Sequence, residues 1–422
     1  MSTSPQSRPR PDRIRLDEHD QTDWLDLTDA ALDALEEVNA TGSGTRIRVE
    51  YGRDEAVRLH SSQYVGSVSL PDGPDIRITP KAAGTNFLPL LKYAHDVRAT
   101  THDDPTPASS GATFVDALGA LFAAELQRIL TRAPHHEYTH TESTETQLRG
   151  QLDLQRQLQR QGPSPTAFEV SYDELTSDTV ANRGIYQAAL RLTYLVEDNQ
   201  LSSQLQRQHQ QLRTWVSTDP VTPAELGRVE TSRLNEHYET ILRLAEHVLR
   251  NSYLDSFVPS QQTSFGLLVN MNTIFENAIE RAAKDVLQES REWEATPQSH
   301  IRPIATGGDP PVNMYPDVVI RRGDEVQLVA DAKWKTRTIS QSDIYQMTSY
   351  MLAHDVPGLL LFPEQGGELE TSYRVDDRQD LLVREVATRQ SPTELSFAAA
   401  FVNDFRTTLS EVIELPPNFG LP

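Results

Sequence analysis

Hydrophobic and polar positions change period twice along the chain. From 45 to 80 short runs alternate (Arg46-Ile47-Arg48-Val49, Tyr64-Val65-Gly66-Ser67-Val68, Ile76-Arg77-Ile78), separated by glycines and Pro71-Asp72-Gly73. A period of two with turn punctuation predicts a small meandering sheet. A short helix over 86–94 follows, and then a linker over 100–111 rich in Asp, Pro, Ser and Thr. Beyond it the period becomes helical: Phe114, Leu118, Leu121, Phe122, Leu126 and Leu130 share one face of a helix over 112–132. Further helices are predicted over 178–198, 202–216 and 228–254, with an extended piece at 167–170 and a Gln-rich helix surface at 151–161. From about 260 the types alternate: helix 269–287, strands 300–304, 317–321 and 326–330, helix 340–353, an apolar strand 358–362, two more strands, and a helix over 393–409. That order is an α/β one.

These patterns predict an α+β multidomain chain. It has a disordered tail (1–12), a small N-terminal β-rich domain (13–110), a central helical region (111–258) and a C-terminal α/β domain (259–422). A length of 422 residues suits two or three domains at about 150 residues each. There is no cysteine, which excludes a disulfide framework, a thiolate metal site, an Fe–S cluster and a thiol nucleophile. The longest apolar run, 358–362, is strand-sized, so no membrane span is expected, and the polar N-terminus lacks an apolar export segment. A cytoplasmic location is the expectation.

Charge complicates the picture. The 39 basic against 61 acidic side chains leave −22 at pH 7, which argues against a protein that coats nucleic acid by bulk electrostatics. Only five lysines occur: Lys81, Lys92, Lys284, Lys333 and Lys335. An acidic, lysine-poor, Asp- and Thr-rich surface is one that a halophilic cytoplasm selects for solubility.

Candidate chemistry concentrates in Tyr315-Pro316-Asp317-Val318-Val319-Ile320 and Val326-Gln327-Leu328-Val329-Ala330-Asp331-Ala332-Lys333. The intervening Arg322-Gly323-Asp324-Glu325 marks a hairpin. A turn centred at Gly323–Asp324 sets Asp317 opposite Ala330 or Asp331, and strand alternation puts Asp331 and Lys333 on one face. Two carboxylates and an ammonium at one sheet edge suit phosphodiester hydrolysis: the acids hold Mg²⁺, and the ammonium steadies the attacking water or the transition state. The bland alternative is a solvated strand end with a surface ion pair. Upstream, Glu276 and Glu280 share a helix face and one of them is a further carboxylate candidate, and downstream Gln346 and Tyr350 form an i, i+4 pair.

Pro316-Asp317 … Asp331-Ala332-Lys333 resembles the PD-(D/E)xK nuclease motif. With Trp334-Lys335 and Asp343-Ile344-Tyr345-Gln346-Met347-Thr348-Ser349-Tyr350 it resembles the McrC family, the nuclease subunits of McrBC modified-cytosine restriction systems. Tyr64-Val65-Gly66, Leu70-Pro71-Asp72-Gly73 and Ile78-Thr79-Pro80-Lys81 are similar to that family's N-terminal motif. Leu148-Arg149-Gly150-Gln151-Leu152-Asp153, Tyr172-Asp173-Glu174 and Asp178-Thr179-Val180-Ala181-Asn182-Arg183 are similar to its central segment.

The resemblance implies a restriction-endonuclease-like fold for 259–422, with Asp317, Asp331 and Glu276 as Mg²⁺ ligands and Lys333 as the catalytic lysine. Gln346 and Tyr350 would stand behind the site, contacting DNA or ordering the lysine. It also implies that the N-terminal sheet and central helices dock onto an McrB-like AAA+ GTPase hexamer that recognises methylated double-stranded DNA.

The segment Tyr172 to Asn182 carries no evident catalytic chemistry and reads as capping and packing around a helix that starts near Asp178. His135, His136 and His140 have ligand-like spacing but follow the helix-breaking Pro134, and no P-loop sequence occurs. Lys81 reads as an edge-strand or partner-contact residue. Two other functions fit less well: a stand-alone repair or junction nuclease of the same superfamily, and a non-catalytic regulator of a partner NTPase.

Overall fold

The computed structural model describes residues 11–415 apart from 41–43, 54, 82–86, 96–113, 133, 161–165, 233–234, 255–264, 289, 298–306, 309–313, 337 and 390–395. Two compact units divide the chain, Met1–Ala117 with Tyr253–Pro422, and Leu118–Ser252.

The first stretch of unit one contains β1 (Arg13–Asp17), α1 (Asp29–Ala40), β2 (Ile47–Tyr51), β3 (Val57–Ser61), β4 (Tyr64–Ser69), β5 (Asp75–Thr79) and α2 (Phe87–Ala94). Helix α3 (Phe114–Leu130) begins in unit one and continues into unit two, which also carries β6 (Glu137–Glu145), β7 (Gln151–Leu152), α4 (Leu154–Arg160), β8 (Phe168–Thr176), α5 (Val180–Leu195), α6 (Asn199–Leu212), α7 (Pro223–Leu226) and α8 (Glu239–Asn251). The chain then returns to unit one through β9 (Ser252–Leu254), β10 (Phe265–Asn270), α9 (Met271–Leu287), β11 (Trp293–Pro297), β12 (Val318–Arg322) and β13 (Glu325–Ala332). It ends with α10 (Gln341–His354), β14 (Gly358–Pro363), β15 (Thr371–Val375), β16 (Gln379–Val386) and α11 (Phe397–Ser410).

The alternating runs near the N-terminus form a sheet ordered β1-β5-β4-β10-β9, with β2 and β3 pairing separately. Its apolar side packs on α1 through Leu35, Val38, Ile47, Leu59, Ile76 and Ile78. The expected helix over 269–287 begins two residues late, because Phe265-Gly266-Leu267-Leu268-Val269-Asn270 pairs antiparallel with β4 as a buried strand. The sheet expected to lie wholly within 13–110 therefore takes a strand from beyond 258. Gly66 is what admits it: with φ at +137°, a Cβ there would sit 1.9 Å from the carbonyl oxygen of Leu267.

The second sheet is ordered β11-β12-β13-β14-β16-β15. β13, β14 and β16 run parallel at its centre and the outer pairings are antiparallel. The central strand Gly358–Pro363 is buried at every position, as its unbroken apolar run requires. Val319, Val329, Met347, Met351, Leu360 and Phe362 form the core between this sheet and α10.

In unit two, α5 starts at its N-cap Thr179, whose hydroxyl accepts the Asn182 N–H. Fully buried Asn182 donates its side-chain amide to the carbonyls of His135 (2.9 Å) and Ser177 (2.8 Å), so residues 178–183 do cap and pack. The extended piece expected at 167–170 is longer: β8 pairs with β6 over nine residues, Glu137↔Thr176 to Glu145↔Phe168. That ribbon lacks an alternating apolar face, since most of β6 is exposed, and so gives no period-two signal. Its helix at 228–254 is shorter than expected, because a 3-10 turn at Glu236–Tyr238 precedes α8.

The strand expected at 300–304 and the linker at 100–111 lie outside the described residues, as do residues 1–10 of the expected tail. Among the described residues no helix is long and apolar enough to cross a membrane.

Candidate active site

The hairpin β12–β13 turns at Gly323, which has φ of +60°. A register shift between Ile320 and Arg321 then lets Val318 pair with Ala330. The next step along the ladder brings Asp317 beside Asp331, and Asp317 Oδ2 accepts the Ala332 backbone N–H at 2.8 Å. Asp331 is 2% exposed, and its Oδ2 is ion-paired with Lys333 Nζ. Lys333 continues the strand past Ala332, donating its backbone N–H to the Leu361 carbonyl of β14 at 2.8 Å. Parallel pairing of β13 with β14 thus fixes the lysine's backbone, and alternation points its side chain to the same face as Asp331.

Electrostatics bind these groups into one system. Burial first, then the Asp331 carboxylate, pushes Asp317 up to about 7. Burial also raises Asp331, against the opposing charge of Lys333. Burial would lower Lys333, but Asp331, Asp317 and Asp343 together hold it above its ordinary value. Half-buried Glu276, on α9, is raised by burial and senses both Lys333 and Asp331. Glu280, one helical turn on, is ion-paired with Lys284 instead. Of the two glutamates, Glu276 is the one that the packing of α9 brings to the site.

α10 backs the cluster. Its capping box joins Ser340 and Asp343, and Asp343 also accepts two hydrogen bonds from Lys335 Nζ at 2.7 and 2.8 Å. Exposed Gln346 donates its side-chain amide to the Tyr350 hydroxyl at 2.9 Å, and that hydroxyl donates to the Tyr315 carbonyl at 3.4 Å. Burial and then the charge of Asp331 raise Tyr350, which places its hydroxyl within reach of the cluster's field. The structure therefore brings together Asp317, Asp331, Lys333, Glu276 and, through Tyr350, Gln346.

The donor set suits a hard divalent cation. Crowded, buried carboxylates with raised pKa values are what such an ion relieves. Among the described residues no three His, Cys, Asp or Glu side chains close around one point. An ion here would rest on Asp317 and Asp331, with Glu276 contributing charge and water completing the shell, which Mg²⁺ tolerates. The histidine trio forms no such centre: His135 faces Glu137, and exposed His140 faces Asp173.

Glu18 escaped the sequence reading. This carboxylate at the end of β1 is 1% exposed and accepts both the Trp334 indole N–H (3.0 Å) and the Lys81 backbone N–H (2.9 Å) on Oε2. Trp334 in turn sets its ring edge on Phe275, the neighbour of Glu276, at 5.6 Å. The N-terminal sheet is thereby tied to the residue following Lys333.

Residues 148–153 and 172–174 of the central unit also meet. Gly150, at φ +64°, lies where a Cβ would be 2.4 Å from the Ser171 carbonyl, and Arg149 stacks on Tyr172 at 4.1 Å while pairing with Glu174. These contacts are structural.

Comparison with known proteins agrees with this architecture. No curated protein matches the sequence. Among solved structures, the chain is similar to the refined half-complex from the tetradecameric assembly of Thermococcus gammatolerans McrB AAA+ hexamers with bound McrC. That match has a TM-score of 0.60 and 18% identity, covering 95% of this chain and all (100%) of that one; at such identity it shows a shared fold. The cryo-EM structure of the Thermococcus gammatolerans McrBC complex matches with a TM-score of 0.44 and 22% identity over 66% of this chain and 89% of that one. The family model described as McrBC 5-methylcytosine restriction system component matches residues 59–363, most of the chain and all of the β12–β13 hairpin, so this protein belongs to that family of restriction-system components.

Proposed function

We propose that this restriction-system component is the DNA-cleaving subunit, hydrolysing phosphodiesters with Mg²⁺ when assembled on an McrB-like AAA+ GTPase hexamer that delivers 5-methylcytosine-containing double-stranded DNA. The carrying observation is the convergence of Asp317, Asp331 and Lys333 at the open end of one hairpin, with Glu276 beside them. Asp317 and Asp331, with Glu276, would hold Mg²⁺, which when bound supplies positive charge to the scissile phosphate and its leaving oxygen. Lys333, kept protonated by its carboxylate neighbours, directs its ammonium at the attacking water and at charge developing on the phosphate. The Gln346–Tyr350–Tyr315 chain fixes the wall behind it. The partner assignment draws on the fold shared with a structure described as McrB hexamers with bound McrC.

The test is cleavage of methylated plasmid by the chain together with its partner, GTP and Mg²⁺. Asp331→Ala is expected to lower the rate by about a thousandfold, the scale of losing a group that acts in the transition state. Cutting at the parental rate by that variant overturns the assignment.

A further inference from the structure

Three of the five lysines of this acidic chain gather in one place. Lys333 and Lys335 flank Trp334, and Glu18 Oε2 receives both the Trp334 indole N–H (3.0 Å) and the backbone N–H of Lys81 (2.9 Å). Lys81 follows β5 of the N-terminal sheet, so two separate sheets contribute to the cluster. His19, directly after Glu18, adopts φ 57°, and burial together with the charges of Lys81 and Lys335 lowers its pKa. Both Lys81 and His19 are exposed.

The clamp uses the backbone N–H of Lys81, and the Lys81 charge adds a smaller favourable effect on the Glu18 carboxylate. Lys81 is nonetheless exposed, so its ammonium is also open to a ligand from solvent. The acidic groups nearby are partly committed: Asp17 accepts the Thr79 hydroxyl at 2.6 Å, and Asp343 is bound to Lys335. A protein of charge −22 must meet a phosphate backbone with local cations, because its overall field repels DNA.

We propose that Lys81, flanked by His19 as a neutral hydrogen-bond donor and by the Asp343-paired Lys335, forms a rim beside the Asp317–Asp331–Lys333 cluster that contacts the DNA backbone phosphates flanking the scissile bond, held in register by the buried Glu18–Trp334 pair. This rests on the nuclease reading above and adds a substrate contact from the N-terminal sheet. The ligand is duplex DNA, gripped through its phosphates without regard to base sequence.

The experiment compares the full chain with Lys81→Gln, Lys81→Arg and Lys284→Gln, the last altering a lysine on α9 that is paired with Glu280. Binding to a short fluorescent duplex is followed across a salt series without Mg²⁺, and cleavage by each chain is measured with the partner present. Lys81→Gln should weaken duplex binding about three- to tenfold and reduce the slope of log K against log salt by about 0.9, one phosphate contact. It should raise the KM for DNA with little change in kcat. Lys81→Arg should restore both, and Lys284→Gln should match the parent. Parental affinity and slope in Lys81→Gln overturn the rim, even where the complex cuts DNA normally. A Lys81 effect on binding in a complex that never cuts leaves the rim standing and removes the nuclease reading. Since the substitution spares the backbone N–H, an unchanged Tm separates lost contact from lost fold.

Discussion

The indole N–H of Trp334 donates to Glu18 Oε2 at 3.0 Å across 316 residues of chain. Burial raises the pKa of Glu18, which also accepts the Lys81 N–H. Glu18→Ala leaves two buried donors without an acceptor and is expected to destabilise unit one by about 2–4 kcal/mol. Glu18→Gln keeps a carbonyl acceptor and removes the buried charge. With the folded-state pKa raised, the wild-type carboxyl is stabilising in its protonated form, and that contribution is lost as pH rises through the folded value. The Tm of wild type relative to Glu18→Gln should therefore fall as pH is raised through 4.5 and above it. A constant gap over that range contradicts the burial argument.

Glu276 and Glu280 offer a controlled comparison on one helix. Glu276 senses Lys333 and Asp331, whereas Glu280 is paired with Lys284. Glu276→Gln should slow DNA cleavage by the assembled complex roughly tenfold to a hundredfold, with Glu280→Gln within about twofold of the parent. Equal effects in single-turnover rates would show that neither glutamate serves the hairpin cluster directly.

His209 lies in the central unit, 7% exposed, stacked on Tyr186 at 4.4 Å. Burial, with a smaller contribution from Arg213, lowers its pKa to about 4. Its folded value lies below the ordinary 6.5, so the unfolded chain binds the proton first and stability falls as pH drops from 6.5 toward 4. His209→Phe preserves the ring stack and removes this proton linkage. Its Tm should decline less steeply than that of wild type across that window, as followed by circular dichroism.

The hairpin cluster was legible because its logic is local. A turn at Gly323–Asp324, two apolar strands and a period of two are enough to bring Asp317, Asp331 and Lys333 to one edge. The choice between Glu276 and Glu280 was not legible, since both share a helix face and only the packing of α9 separates them. Only Val269 and Asn270 of β10 fall within the expected helix, and Phe265–Leu268 give no strand signal of their own, because a short apolar run fits either element and the partner β4 lies far upstream. In α1 the buried Ala31, Ala34, Leu35 and Val38 form a helical stripe, one too thin in large apolar side chains to stand out in the sequence. Glu18 gave no signal at all: a single carboxylate after a strand is ordinary until its distant indole partner is in view.

The pairing of β4 with β10 also sets an order of events during synthesis. The β4 edge is complete by Ser69, yet its partner strand ends at Asn270, about 200 residues later. At ribosomal rates of roughly 5–20 residues per second, that edge waits on the order of 10–40 s for its strand. During this interval the whole of the compact unit Leu118–Ser252 emerges. The nascent chain thus carries an open strand edge for longer than many domains take to fold. Guarding that edge falls to the cell before it falls to the protein.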